Sequence, residues 1–288
     1  LRTFLECVPC FIRQAYDAVS FVTDDDEIRE KVLREVLIES AKMDFHQSPP
    51  LMGQIIHRLI RQYTGNDDPY KDIKTRYNRY ALNLYEKLRK QINESPDPLE
   101  TAVRLAIAGN IIDYGVKRDL DIGSVYDAMD HALAAELDLD MLENMRAAIE
   151  RSGEILYVGD NSGEIVFDRL LIELLPREKI TFVVRGRPVL NDAVMEDART
   201  AGITELVEVI DTGSDAPGMI IEDCSEECRA RFERADMVIA KGQGNFETLY
   251  ETDKDIFFLF KAKCHVIADH VGVEQGAIVI CRNITPAE

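Results

Sequence analysis

No run in this 288-residue chain approaches the ~20 consecutive apolar residues that a membrane-spanning helix needs, and its first residues lack the basic-then-apolar layout of a secretory leader. The expectation is a cytoplasmic protein. Positive charge is also scarce. Against 53 acidic residues stand 34 basic ones, a formal net charge of -19, so the basic surface that nucleic acid or an anionic membrane requires is missing and neither is expected as a partner. The 6 cysteines form no dense or regular framework, which points to thiols or a metal site rather than disulfides. There is no GxxxxGK[ST] phosphate loop. No Asp-x-Asp pair follows the first apolar strand either, because Ser162 stands where an aspartyl-phosphate enzyme places its second acid.

What is present suffices for real cores: 46% of the residues are hydrophobic, and the length is that of about two domains. From Val8 to about Arg151 apolar residues recur at three- and four-residue spacing, in Ile28 to Met43, Met52 to Tyr63, Ile73 to Ile92, Leu99 to Ile112 and Val125 to Leu137. Asp24-Asp25-Asp26, Ser48-Pro49-Pro50, Thr64-Gly65-Asn66 and Ser95-Pro96-Asp97-Pro98 punctuate these helices. After Ser152-Gly153 short β-prone runs alternate with helices. The strands expected are Glu154 to Val158, Ile180 to Val184, Leu206 to Ile210, Met237 to Ala240, Ile256 to Phe260 and Ala277 to Cys281. The fold expected is α/β, with a helical domain over 1–152 and a Rossmann-like α/β/α domain with a mostly parallel sheet over 153–288.

The most informative segment is ILYVGDNSGEIVFD, Ile155 to Asp168, a buried-strand pattern that ends in a polar turn and opens a helix. In an open α/β fold such a turn lies at the carboxyl edge of the sheet, where ligands bind and where helix N–H groups are offered. The same residue types also make an ordinary capped turn. Recurrence favours a site. Arg185-Gly186-Arg187-Pro188 leads to Asn191-Asp192 after the second strand, and Lys241-Gly242-Gln243-Gly244-Asn245 follows the fourth. Asp160, the amide oxygen of Asn161 and Asp192 make an all-oxygen ligand set suited to a hard divalent cation, while Arg185, Lys241 and the glycine turns offer charge and N–H groups to a phosphate. A dinucleotide site fits poorly. Gly242-Gln243-Gly244 lacks the third glycine, and Arg185 replaces the ribose-binding acid.

Asn110 and Asp113 stand one turn apart on an apolar helix, either braced internally or walling a cleft. Cys7 and Cys10 at the head of the first helix are read as half of a metal site, a redox pair or two structural cysteines, with a helix N-terminus that favours thiolates and Cys264 as the third member. Cys224 and Cys228, four apart on an expected helix, are a weak metal signal, and the histidines show no ligand spacing.

With CVPCFIRQA, AGNIIDYG, GDNSGEIVFD, VVRGRPVLNDA and KGQGNFETL in this order, the chain resembles the damage-control phosphatase family, long catalogued as a domain of unknown function, in its prokaryotic CxxC-bearing branch. The resemblance spans the chain. It implies a helical domain on a three-layer α/β/α domain, and hydrolysis of sugar phosphates or damaged phosphometabolites with Mg, Mn, Co or Ni. By it, Asp160, Asn161 and Asp192 are metal ligands that do the chemistry together with Lys241, the phosphate-contacting lysine. Asn110, Asp113 and Arg185 fall in motifs that line the cleft. Ser162, Gly163 and Gly242 are expected to meet substrate through their backbone. Two alternatives stay open: a methyltransferase using the same turn, and a non-catalytic metal or metabolite sensor switched by the CxxC pair.

Overall fold

The short β-branched and aromatic runs of the second half form one sheet, because all but the edge run Glu208–Asp211 are apolar on both faces and find a helical layer on either side. The computed structural model describes residues 1–109 and 129–283. The strands are β1 (Ile155–Val158), β2 (Ile180–Val184), β3 (Glu208–Asp211), β4 (Met237–Lys241), β5 (Ile256–Lys261) and β6 (Ile278–Arg282), in the order β3-β2-β1-β4-β5-β6. All neighbours pair parallel except β5 and β6. The strand order reverses between β1 and β4, which places the switch point beside the Asp160 turn.

The helices are α1 (Cys7–Val22), α2 (Asp26–Lys42), α3 (Pro49–Thr64), α4 (Lys71–Asn93), α5 (Pro98–Ala108), α6 (Leu139–Arg151), α7 (Glu164–Ile172), α8 (Met195–Thr200), α9 (Glu226–Arg234), α10 (Gly242–Leu249) and α11 (His265–Val271). Their starts are set by residues that can be read locally. Asp25, Asp97 and Asp138 each accept from a first-turn amide, Pro49 and Pro50 open α3, and Gly65 closes it at φ 67°.

Strand alternation then sorts the core. Ile155, Tyr157, Phe182 and Ile239 face a layer made by α4 to α8, whereas Leu156, Val158, Val183 and Val238 face α9 to α11. Helices α1 to α3 bury Phe11, Val19, Val36, Ile56 and Ile60 in a core of their own. Polar contacts fasten that bundle over the carboxyl ends of the strands. Gln54 Nε2 donates to Asp215 Oδ1 at 2.8 Å, Arg58 and Arg61 both pair with Asp215, and Arg61 Nη1 donates to the Pro188 carbonyl at 2.9 Å.

Two expectations shift. The third strand begins at Glu208 rather than Leu206, because the amides of Leu206 and Val207 both turn back to the Ile203 carbonyl. Cys224 precedes α9 instead of lying on it, and with Cys228 it packs in the core on that face of the sheet. The helix expected over Leu99 to Ile112 is seen as α5 to Ala108, and the remainder lies outside the described residues. Among the described residues, no helix is long and apolar enough to cross a membrane.

Candidate active site

The turn after β1 folds back on the turn after β2 through backbone bonds. Asn161 bridges Asp192, the Ala193 amide donates to the Asp160 carbonyl at 2.8 Å, and the Ser162 amide donates to the Asn191 carbonyl at 2.8 Å. Asp160, Asn161 and Asp192 are thereby brought to one point, nearly buried, on the floor of a cleft of about 720 Å³ roofed by α1 and α3. Gly242, at φ +80°, lets β4 approach them. A Cβ there would come within 2.0 Å of an Asp160 carboxylate oxygen.

The floor is short of positive charge. Asp160, Glu164, Asp168 and Asp192 are all buried around two buried cations, Arg185 and Lys241. Arg185 Nε donates to Asp192 Oδ2 at 2.7 Å, and Nη2 stands 3.5 Å from Asp160 Oδ1. Asn161 Nδ2 donates to Asp160 Oδ2 at 2.8 Å and to Glu164 Oε2 at 3.1 Å. Burial, followed by repulsion from Glu164 and Asp192, holds the Asp160 carboxyl well above the usual range, against partial relief from Lys263 and Arg185. A buried excess of acid on an all-oxygen donor set fits a hard divalent cation, with water and substrate completing its shell. Among the described residues, no group of three or more His, Cys, Asp or Glu side chains is placed to hold a metal ion, so the fit rests on two carboxylates and the Asn161 amide oxygen.

Several residues expected to meet substrate stand elsewhere. Lys241 points inward, and its ammonium is spent on the Ala106 carbonyl at 2.7 Å, Glu164 Oε1 at 2.8 Å and Asp168 Oδ1 at 2.6 Å. Those three acceptors match the three donors of an ammonium, and the two acids raise its pKa despite burial. Arg185 is fully buried beneath the acids rather than facing the cleft. The α7 N-terminus is closed as well. The Gly163 amide donates to Asn78 Oδ1 at 2.7 Å, and the Ser162 amide is held by Asn191, so neither is offered to a ligand. Asn110 and Asp113 lie outside the described residues.

Other residues reach the cleft that the sequence did not single out. Lys263, on the turn after β5, is the lysine of its wall, close enough to draw down the Asp160 carboxyl. Glu247 and Gln243 line it from α10. Glu164 and Asp168 were legible in principle, since two acids four apart on the apolar helix Glu164–Ile172 demand buried partners.

Cys7, Cys10 and Cys264 all line this same cleft, as free thiols. The helix N-terminus does not favour their thiolates as expected. Burial pushes Cys7 and Cys10 up, with Glu247 and Cys264 adding to it.

The family model described as the damage-control phosphatase ARMT1-like domain matches residues 3–279. The chain is 38% identical over 290 residues to the uncharacterized protein MJ0202 of Methanocaldococcus jannaschii, covering 96% of this chain and 94% of that one. It is 34% identical over 281 residues to a damage-control phosphatase of Archaeoglobus fulgidus, covering 95% and 96%. To damage-control phosphatase PH1575 of Pyrococcus horikoshii it is 34% identical over 295 residues, covering 98% and 99%. The crystal structure of that DUF89 family protein superposes with a TM-score of 0.89 at 32% identity, over 99% of this chain and 100% of the other. With an acid-floored cleft at the switch point of its sheet and relatives matched end to end, this chain belongs to the damage-control phosphatase family.

Proposed function

We propose that this protein is a divalent-metal-dependent phosphomonoesterase acting on small phosphorylated metabolites, sugar phosphates or their damaged forms. The observation that carries the reading is the buried excess of acid at Asp160 and Asp192, on the floor of a cleft large enough for such a metabolite. Asp160, Asn161 and Asp192 would hold the cation, which when bound offsets phosphoryl charge and lowers the pKa of a water. Arg185 orients both carboxylates from below. Lys263 supplies a cation to the phosphate from the cleft wall, a part that Lys241 is too deeply committed to play. Tyr77, Ile73 and the α1 wall cover the floor and limit water around the ester.

The test is a phosphate-release screen over sugar phosphates, nucleotides and cofactor phosphates with Mg, Mn, Co and Ni in turn, and with EDTA. Release from at least one sugar phosphate, lost in EDTA and restored by metal, is the expected result. No release with any cation overturns the phosphatase reading, and release unaffected by EDTA overturns the metal.

A further inference from the structure

We propose that Glu247 is the general acid that protonates the leaving alkoxide during ester hydrolysis. This deepens the phosphatase reading and rests on it.

Geometry comes first. Glu247 lines the same cleft as Asp160, Asn161 and Asp192 and stands on α10, whose first residue, Gly242, lies against the Asp160 carboxylate. Five residues along a helix advance about 7–8 Å, and helical side chains lean back toward the N-terminus, which brings the carboxyl nearer the floor. Its bond to Gln243 fixes that lean: Gln243 Nε2 donates to Glu247 Oε1 at 2.8 Å, while Gln243 Oε1 accepts the Lys263 amide at 2.9 Å. A phosphoryl group seated on the floor with its ester oxygen toward the α10 wall would present that oxygen to Glu247.

The chemistry fits the place. An alkyl phosphate leaves as a strongly basic alkoxide, so its departure gains from a proton delivered as the P–O bond breaks. In the balanced step, water adds its oxygen to phosphorus and releases one proton to solvent, the P–O(alkyl) bond breaks with its electron pair on oxygen, and the Glu247 proton passes to that oxygen. Glu247 is left as a carboxylate and regains a proton from solvent. Charged and titratable groups face Glu247 from each neighbouring element: Cys7 and Cys10 on α1, Lys263 and Cys264 after β5, and the Leu1 amino group. Desolvation, against the Gln243 hydrogen bond and the nearby cations, pushes this half-buried carboxyl up to about 7, so a far larger share of it is protonated near neutral pH than of an ordinary glutamate.

The experiment compares wild type and Glu247→Gln, both loaded with Mn, on alkyl phosphates and on 4-nitrophenyl phosphate, whose phenolate leaves without help, from about pH 5 to about pH 9. Wild-type kcat/KM on alkyl esters is expected to fall above about pH 7. The variant should lose that limb and about 100-fold or more on alkyl esters, yet stay within about threefold on the nitrophenyl ester. Glu247→Asp, which keeps a carboxyl, should recover part of the loss, and Glu251→Gln on the exposed side of the same region should match wild type. Equal loss on both ester classes, or unchanged alkyl turnover, overturns the assignment of Glu247 while leaving the phosphatase reading intact. If wild type turns over neither class with any cation, the phosphatase reading itself falls.

Discussion

Arg185 Nε lies 2.7 Å from Asp192 Oδ2 while its Nη2 stands 3.5 Å from Asp160 Oδ1, so one buried guanidinium braces the two acids of the floor from beneath. Neither Nη atom has a hydrogen-bond partner among the described residues, and the side chain is fully buried. The guanidinium thus depends on the two carboxylates for its partners. In the proposed site the guanidinium is a positioning group for both acids.

Arg185→Gln should lower phosphatase turnover by about 10–100-fold and weaken metal binding, since partners behind a ligand set typically act at that scale. Arg185→Lys should not rescue it, because an ammonium cannot span both carboxylates. Metal titration by calorimetry alongside turnover checks this. Wild-type affinity and rate in the glutamine variant would show that the acids hold their places unaided.

Gly242→Ala should damage the floor more than a methyl normally would. The added Cβ would stand 2.0 Å from Asp160 Oδ2 at a φ of +80°, so either the carboxylate or the start of α10 must move. A stability loss of about 1–3 kcal/mol is expected from the backbone strain, and about 100-fold in turnover from an acid displaced by about 1 Å. Thermal melts and phosphate release on the same preparation measure both. A fully active alanine variant would contradict the close approach.

Lys241→Met should act on stability before chemistry. The change leaves Glu164 and Asp168 buried without their shared cation, which costs about 3–5 kcal/mol for a broken buried pair. Asp168 is held at about 6, burial raising it while Lys241 pulls it down, so removing the lysine raises it further. The deficit at neutral pH should therefore shrink as the pH is lowered toward about 5 and the orphaned acid takes up a proton. Urea melts at both pH values check this. A variant that melts like wild type at neutral pH but binds phosphate poorly would return Lys241 to the cleft.

His57 predicts an acid-side loss of stability. Burial first, and then Arg61, push its imidazole down to about 3, so the folded protein keeps it neutral where the unfolded chain protonates it below about 6.5. The unfolded state then binds more protons, and stability rises with pH across that window. Between pH 6.5 and pH 5 this one group should cost about 2 kcal/mol. His57→Leu should show a shallower decline over the same interval than wild type. Parallel curves for the two proteins would mean that the imidazole titrates normally.

The local features of this protein were legible in its sequence. Apolar runs such as Ile155–Val158 and Ile180–Val184 fill strands buried on both faces, Asp25, Asp97 and Asp138 cap helices, and polar turns follow the strands. Periodicity and capping depend on residues a few positions apart, so they survive reading in one dimension. The meeting of Asp160, Asn161 and Asp192 also follows, because strand ends in a parallel sheet share an edge. The direction in which each charged group faces did not follow. Lys241 turns inward because Glu164 and Asp168 wait there, 77 and 73 residues away in the chain, and an ammonium leaves water only for partners that satisfy it fully. The Gly163 amide, poised at a helix start to meet an anion, is taken by Asn78 from 85 residues away. Lys263, Glu247 and the thiols of α1 share one cleft wall only because Asp215 draws Arg58 and Arg61 down and seats α1 to α3 above the strands. Pairing a buried charge is a choice among all the partners the fold brings within reach, and only the tertiary structure makes that choice.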